Sequence, residues 1–182
     1  MRKLARTIVQ IIQETFPERN NLVGAEIGCW EGDSSAGMLK LLPSLRLYMI
    51  DPWLVGDNQV YCDTQDEMNT GMLKAIQDTE FAKDRRFVLR YTSVDALMIM
   101  PDSYLDFVFV DADHRYEYVK EDMAWWKKIK LGGLFFGHDY NGIKERRSGG
   151  KSWGVKKAVD EFATANDLEV QIPGHLTWSI RK

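Results

Sequence analysis

Apolar residues follow two rhythms along this chain, helical spacing and short continuous runs, and their regular alternation predicts an α/β fold. In Met1 to Phe16 the apolar positions Leu4, Ile8, Ile11 and Ile12 recur at helical intervals with Gln10, Gln13 and Glu14 between them, so residues 1–17 read as an amphipathic helix. Pro17 and the polar run Glu18-Arg19-Asn20-Asn21 end that pattern. Leu22 to Ile27 then reads as a buried strand stopping at Gly28, and Ser34 and Ser35 start a helix carrying Met38, Leu39, Leu41 and Leu42 to Pro43. Leu45 to Ile50 is a second strand, closed by Asp51-Pro52 because proline cannot donate to a ladder.

Gly56 to Asn69 shows little periodicity, after which Met72, Leu73, Ile76 and Phe81 predict a helix before the strand Phe87 to Tyr91. Leu97 to Met100 closes another helical segment. Leu105-Asp106-Phe107-Val108-Phe109-Val110 is an apolar strand that stops at Asp111. Tyr116, Val119, Met123 and Trp126 share a helix face, ended by Leu131-Gly132-Gly133 before the strand Leu134 to Phe136. A helix over residues 155–165 and two strands, Leu168 to Ile172 and His175 to Ile180 about a Pro173-Gly174 turn, complete the chain. Five strand-helix units predict a parallel sheet with helices on both faces, and the last two strands an antiparallel hairpin added to it.

With 182 residues there is room for one domain, residues 1–182, in which 22–182 form the core. A 45% hydrophobic, 28% charged composition belongs to an ordinary globular protein, and a net charge of -3 favours neither nucleic acid nor an anionic membrane as partner. A small molecule fits better. Cys29 and Cys62 are too few for a disulfide framework, and no apolar run approaches bilayer length, so a reducing cytoplasm is the expected setting.

Ligands of open α/β sheets sit at the carboxyl ends of the strands, and here those ends are polar. Glu26, Gly28, Gly32 and Ser34 surround the first turn; Asp51 follows the second strand, Ser93 and Asp95 the third, Asp111 the fourth, His138-Asp139 the fifth. An acid at the second strand's end suits a ribose diol. A dinucleotide fingerprint needs glycine where this chain has Trp30, which disfavours pyrophosphate, while Glu26 would repel phosphate and could pair with an ammonium group.

The segment Glu26-Ile27-Gly28-Cys29-Trp30-Glu31-Gly32-Asp33-Ser34 resembles motif I of class I S-adenosylmethionine-dependent methyltransferases, and Tyr48-Met49-Ile50-Asp51-Pro52-Trp53 their ribose-binding second strand. Phe107 to His114 and Gly132 to Tyr140 are similar to the O-methyltransferase branch, nearest to macrolide-sugar O-methyltransferases and cephalosporin-hydroxylase-like proteins. The resemblance runs from Leu22 onward. It implies a single-domain Rossmann-like sheet of seven strands with helices on both faces and a C-terminal antiparallel hairpin. It also implies S-adenosylmethionine as cofactor, with Glu26, Gly28 and Ser34 at its amino-acid end, Asp51 on the ribose and Ser93 near the adenine. Trp30, Trp53 and Asp111, inside or beside these motifs, are counted among the cofactor contacts.

Methyl transfer needs an aligned nucleophile and a group to take its proton. His114 stands where the macrolide-sugar enzymes have their base, with Asp111 and Asp139 beside it as further catalytic residues. Asp111 and Asp139 also match metal-ligand positions of the metal-dependent enzymes. Tyr140 stands where the catechol-type enzymes have asparagine, and His138 where the macrolide-sugar enzymes have an acid. Two arrangements stay open: Asp111, His138 and Asp139 hold Mg2+ or another divalent cation, or these groups align the hydroxyl without a metal.

Plainer roles stand beside these. Asp113 or His114 caps the helix beginning near Arg115, His138 is a paired interior histidine, His175 belongs to a turn, and Trp125, Trp126, Trp153 and Trp178 pack. Gly56 to Thr70 and the basic stretch Asn141 to Trp153, with Lys144, Arg146, Arg147 and Lys151, lie on the ligand side. The expected function is O-methylation of a small hydroxylated acceptor. The alternatives are a nicotinamide-nucleotide-dependent oxidoreductase on a related sheet and a cofactor-binding module without catalysis. The N-terminal helix, outside the repeating pattern, is the expected contact of a homodimer.

Overall fold

The computed structural model describes residues 3–55, 64–141, 153–174 and 176–182. Its strands are β1 (Val23–Ile27), β2 (Arg46–Ile50), β3 (Arg86–Leu89), β4 (Leu105–Val110), β5 (Ile129–Gly137), β6 (Gln171–Gly174) and β7 (Thr177–Arg181). The helices are α1 (Lys3–Thr15), α2 (Asp33–Leu41), α3 (Gln65–Asp78), α4 (Ser93–Ile99), α5 (Tyr116–Asp122) and α6 (Val155–Ala165). The strands make one sheet in the order β3-β2-β1-β4-β5-β7-β6. β1 to β5 run parallel, and β7 is antiparallel to both β5 and β6. This is the expected seven-stranded sheet with a C-terminal hairpin. Strand order reverses between β1 and β4, so a ligand crevice opens at the carboxyl ends of those two strands.

Every residue of β4 is buried, because helices cover both faces of the sheet. On one face Phe107, Phe109 and Phe136 pack with Ile8 and Ile12 of α1, Met38 and Leu39 of α2, and Met68 of α3. On the other, Val108 and Phe135 pack with Leu97 of α4, Val119 of α5, Val159 of α6, Trp125 and Trp178. The apolar stripe of α1 is thus used within the chain. Among the described residues no helix is long and apolar enough to cross a membrane.

Several boundaries differ from expectation. α3 starts at Gln65 rather than near Met72, because Thr64 and Glu67 form a capping box. α5 stops at Asp122 and tightens into a 3-10 helix, Met123–Lys128, and β5 begins already at Ile129, before the two glycines. Between Leu105↔Ile129 and Phe107↔Leu134 the ladder slips, and the irregularity absorbs Leu131 to Gly133. The last hairpin turns after β6 rather than at Pro173-Gly174, which form the end of that strand.

Candidate active site

Gly28 brings the end of β1 against the end of β4. Its φ is +88°, and a Cβ there would lie 2.4 Å from the Asp111 carbonyl oxygen, so only glycine lets the two backbones approach. The Gly28 amide donates to the Ile50 carbonyl and the Asp111 amide to that of Ile27, each at 2.9 Å, which stitches the turn to both neighbours.

Behind this turn the Glu26 side chain is fully buried. It accepts hydrogen bonds from the Ser34 and Ser35 hydroxyls in the first turn of α2. Burial pushes its carboxyl up to about 7, against the lowering effect of the two hydroxyls. An ammonium group set against it would favour the charged form.

Asp51 closes β2 and is also buried. Its Oδ2 accepts the amides of Cys29 at 3.0 Å and Trp30 at 2.9 Å, and its Oδ1 that of Trp53 at 2.8 Å. Burial raises its carboxyl, with the backbone donors working the other way. A carboxylate offers about four lone-pair sites, so one on Oδ1 is left for a ribose hydroxyl. Asp51 therefore organises the turn, and both oxygens are not free for a diol as the sequence suggested. Trp53 is fully buried and donates its indole N–H to the Trp30 carbonyl at 2.9 Å, so it supports the turn instead of lining the crevice. Trp30 is half-buried, with φ +48°.

Ser93, at the start of α4, donates to the buried Asp122 and accepts the Trp125 indole N–H at 2.8 Å. Burial pushes the Asp122 carboxyl up to about 7. The Ser93 hydroxyl, expected near the adenine, is engaged with Asp122 and Trp125. Asp122 was missed in the sequence because nothing in a helical acid announces a partner on another helix.

At the ends of β4 and β5, His114 Nε2 lies 2.9 Å from Asp139 Oδ2 and 3.4 Å from Asp111 Oδ1. His138 Nδ1 lies 3.0 Å from the same Asp139 oxygen and 3.9 Å from Asp111 Oδ1. The four expected residues therefore meet. Burial opposes charge on His114, but Asp111 and Asp139 outweigh it and push the imidazole up to about 9. His138 is raised in the same way, chiefly by Asp139 against burial. Burial would raise Asp139, yet the two imidazoles hold it well below the usual carboxylate range. Despite the close approach, His114 Nε2 is buried without an aligned hydrogen-bond partner among the described residues. One donor atom from each of Asp111, His138 and Asp139 lies within 4.8 Å of the others, a spacing that fits a divalent cation.

Trp153 stacks on His114, ring centres 4.3 Å apart and planes 15° from parallel. The Gly154 amide donates to the His114 carbonyl at 2.7 Å. The sequence placed Trp153 on the ligand side without assigning it this partner. Asp113 accepts the Arg115 amide at 2.9 Å and pairs with its guanidinium, but α5 takes Arg115 as its N-cap with no side-chain cap bond, so the capping role weighed for Asp113 or His114 is not what the structure shows. Tyr140, after Asp139, turns away: its hydroxyl donates to Asp160 of α6. Residues 56–63, residues 142–152 with their four basic side chains, and His175 lie outside the described residues.

A family model described as a methyltransferase domain matches residues 25–140, the span from the Gly28 turn through the His138-Asp139 pair. No curated protein matches the chain. Among solved structures, the O-methyltransferase NovP superposes with TM-score 0.70 at 17% identity, covering 99% of this chain and 79% of that one. An O-methyltransferase from Bacillus cereus in complex with SAH gives TM-score 0.63 at 16% identity, over 100% and 82%. CalS11, a TDP-rhamnose 3'-O-methyltransferase of calicheamicin biosynthesis, gives 0.61 at 14%, over 99% and 81%. At these identities the likeness is one of fold.

Proposed function

The chain belongs to the methyltransferase-domain family, and on that premise we propose that it transfers the methyl group of S-adenosylmethionine to a hydroxyl of a small acceptor. The observation that carries this reading is the contact of Gly28 with Asp111, which sets a glycine turn beside an acid–imidazole cluster at the sheet's switch point. The pieces fit an adenosyl amino acid. Glu26 offers a carboxylate to its ammonium, the Gly28 turn offers close backbone approach, and Asp51 offers one oxygen to its ribose. The antiparallel β7 departs from an all-parallel dinucleotide-binding sheet, and Trp30 holds the position where such a fold needs glycine.

The sulfonium supplies the driving force of transfer, and the protein's part is alignment and proton removal. An imidazole whose charged form two carboxylates favour is a stronger proton acceptor than a free one; its neutral form, the minority near neutral pH with the value pushed up to about 9, is the form of His114 that would draw the proton from an acceptor hydroxyl. Asp111 and Asp139 orient that ring, and Trp153 fixes its plane. A divalent cation held by Asp111, His138 and Asp139 would add Lewis-acid chemistry, lowering the hydroxyl's pKa. NovP and CalS11 are named for O-methylation, and the second acts on a nucleotide sugar; a sugar, polyol or phenol is the proposed acceptor class here.

Calorimetric titration with S-adenosylmethionine and its demethylated product tests the cofactor. One site per chain at micromolar affinity is expected, and no heat with either ligand overturns the reading. A panel of hydroxylated and amino acceptors then separates O-methylation from N-methylation. Cofactor binding with no turnover on any acceptor identifies a binding module instead.

A further inference from the structure

We propose that the groove between α1 and the β6–β7 hairpin binds a small zwitterion, an α-amino acid with an apolar side chain, at a place separate from the crevice. The inference stands on this groove alone and does not depend on what the crevice transfers.

β7 alternates polar and apolar residues, and the two sets meet different neighbours. Trp178 and Ile180 join the core on the face covered by α4, α5 and α6. Thr177, Ser179 and Arg181 therefore point to the other face, where α1 runs beside the hairpin. The helix meets the hairpin at both ends of the groove. A Cβ on Gly174 would lie 3.3 Å from Thr7 Cγ2. At the other end Arg181 Nη1 stands 3.5 Å from the Thr15 carbonyl oxygen, with the guanidinium 5.4 Å from the centre of the Phe16 ring. Between these closures lies a cavity of about 300 Å³, lined by Leu134 and Ser179 of the sheet, Ile11 and Glu14 of α1, and Gln171 and Pro173 of β6. That volume is at the lower end of those that hold ligands, so the occupant is small.

Ser179 points to an occupant. It is 5% exposed, lines the cavity and, among the described residues, makes no side-chain hydrogen bond. Buried hydroxyls are nearly always paired, and a polar group entering the cavity supplies the missing partner.

The charges around the cavity define the occupant's chemistry. Among the described residues Arg181 has no carboxylate partner, and Glu14 has no cationic one, its carboxylate accepting only the Gln10 amide at 2.8 Å. The two side chains line one cavity without pairing across it. A guanidinium forks onto a carboxylate. Glu14 lies in the last turn of α1, where the helix carbonyls add negative potential, and the two together favour an ammonium group. Ile11, Leu134 and Pro173 offer apolar surface to a side chain. One carboxylate, one ammonium and an apolar side chain are the parts of an apolar α-amino acid. Glu14 would repel a phosphate, and a simple amine would leave Arg181 without a counter-charge.

The test is calorimetric titration of the chain with L-leucine, L-isoleucine, L-methionine and L-phenylalanine. 4-Methylpentanoic acid, which lacks the ammonium, and 3-methylbutylamine, which lacks the carboxylate, are the controls. One site per chain is expected for at least one of the amino acids, with both controls weaker by about 10-fold or more through loss of a charge-assisted hydrogen bond. Arg181→Gln and Glu14→Gln each weaken the amino acid by about the same factor. Ser179→Ala weakens it as well, while the unfolding midpoint of the free chain does not fall, because the hydroxyl removed has no partner there. A serine with a merely structural role would not separate those two readouts. Glu26→Gln leaves the affinity level, which distinguishes this groove from the buried carboxylate of the crevice. No heat with any of the four amino acids, controls that bind as tightly as they do, or an affinity lost in Glu26→Gln but kept in Arg181→Gln overturns the proposal. Loss of the native near-ultraviolet circular dichroism in Arg181→Gln transfers the decision to Glu14→Gln, an exposed helix position. Titration of the same samples with S-adenosylmethionine reads the transferase proposal independently.

Discussion

The Trp30 amide donates to Asp51 Oδ2 at 2.9 Å, so the acid that ends β2 holds the turn that follows β1. Cys29 and Trp53 give their amides to the same carboxylate. Asp51→Ala leaves three backbone donors without their acceptor, and hydrogen bonds to a charged group are worth about 1.5–3 kcal/mol each in a buried setting. The expected outcome is a loss of at least about 2 kcal/mol in urea unfolding together with weaker cofactor binding. Asp51→Asn keeps one carbonyl acceptor and falls between. An Asp51→Ala protein with wild-type stability would contradict the organising role.

Glu26 and Asp122 make stability depend on pH in an unusual direction. Both carboxyls are pushed up to about 7 by burial, from ordinary values near 4.5 and 3.8. A folded value above the unfolded one means that the native state binds the proton more tightly. Their contribution is therefore complete below the unfolded values and is lost as pH rises through about 7. The unfolding midpoint falls between pH 5 and pH 8, and Glu26→Gln flattens part of that slope because an amide does not titrate. The same substitution weakens S-adenosylmethionine binding, since the ammonium loses its counter-charge. A slope unaltered by Glu26→Gln would show that its carboxyl does not carry this proton.

The fold was legible because it is written in local periodicity. The apolar run Leu105 to Val110 is buried on both faces, and Gly28, Asp51, Asp111 and Asp139 all arrive at the switch point that such strands imply. What periodicity does not carry is partnership. Ser93 and Asp122 are 29 residues apart in sequence, and only helix packing sets one hydroxyl over one carboxyl. The buried Asp106 binds Arg19, Lys130 and the Val23 amide at the far end of β4 from the site, partners that no spacing in the sequence announces. Trp53 belonged to a recognisable motif, yet its full burial depends on the indole reaching the Trp30 carbonyl.

Tyr140 ties the β5 turn to α6, and its removal should be felt one residue away. The phenol donates to Asp160, with Lys156 Nζ 3.2 Å from its oxygen, and the Tyr140 amide donates to the Leu176 carbonyl at 3.0 Å. Tyr140→Phe keeps the ring and the backbone bond and deletes only the hydroxyl. Stability should fall by about 0.5–1.5 kcal/mol, the usual worth of one such bond. The stronger effect belongs to Asp139, whose left-handed backbone conformation this anchor supports. Turnover is expected to drop while cofactor affinity stays level, since Tyr140 is remote from Glu26 and Asp51. Equal losses in both would show a general loosening of the fold.

His114 is the residue on which the chemistry turns, and its surroundings allow a test of role as well as of importance. General-base catalysis by a positioned side chain contributes about 10²–10⁴ in rate, so His114→Ala should cut turnover by that factor with S-adenosylmethionine affinity unaltered. Trp153 stacks on the same ring, at 4.3 Å between centres. Trp153→Phe keeps an aromatic face and should retain most activity, while Trp153→Ala should lower kcat less than His114→Ala does. In the double variant the Trp153 effect should vanish, because a residue that acts through the imidazole has nothing left to orient. Independent, multiplicative losses would instead assign Trp153 a contact of its own with the acceptor, and undiminished turnover in His114→Ala would remove the imidazole from the proton path.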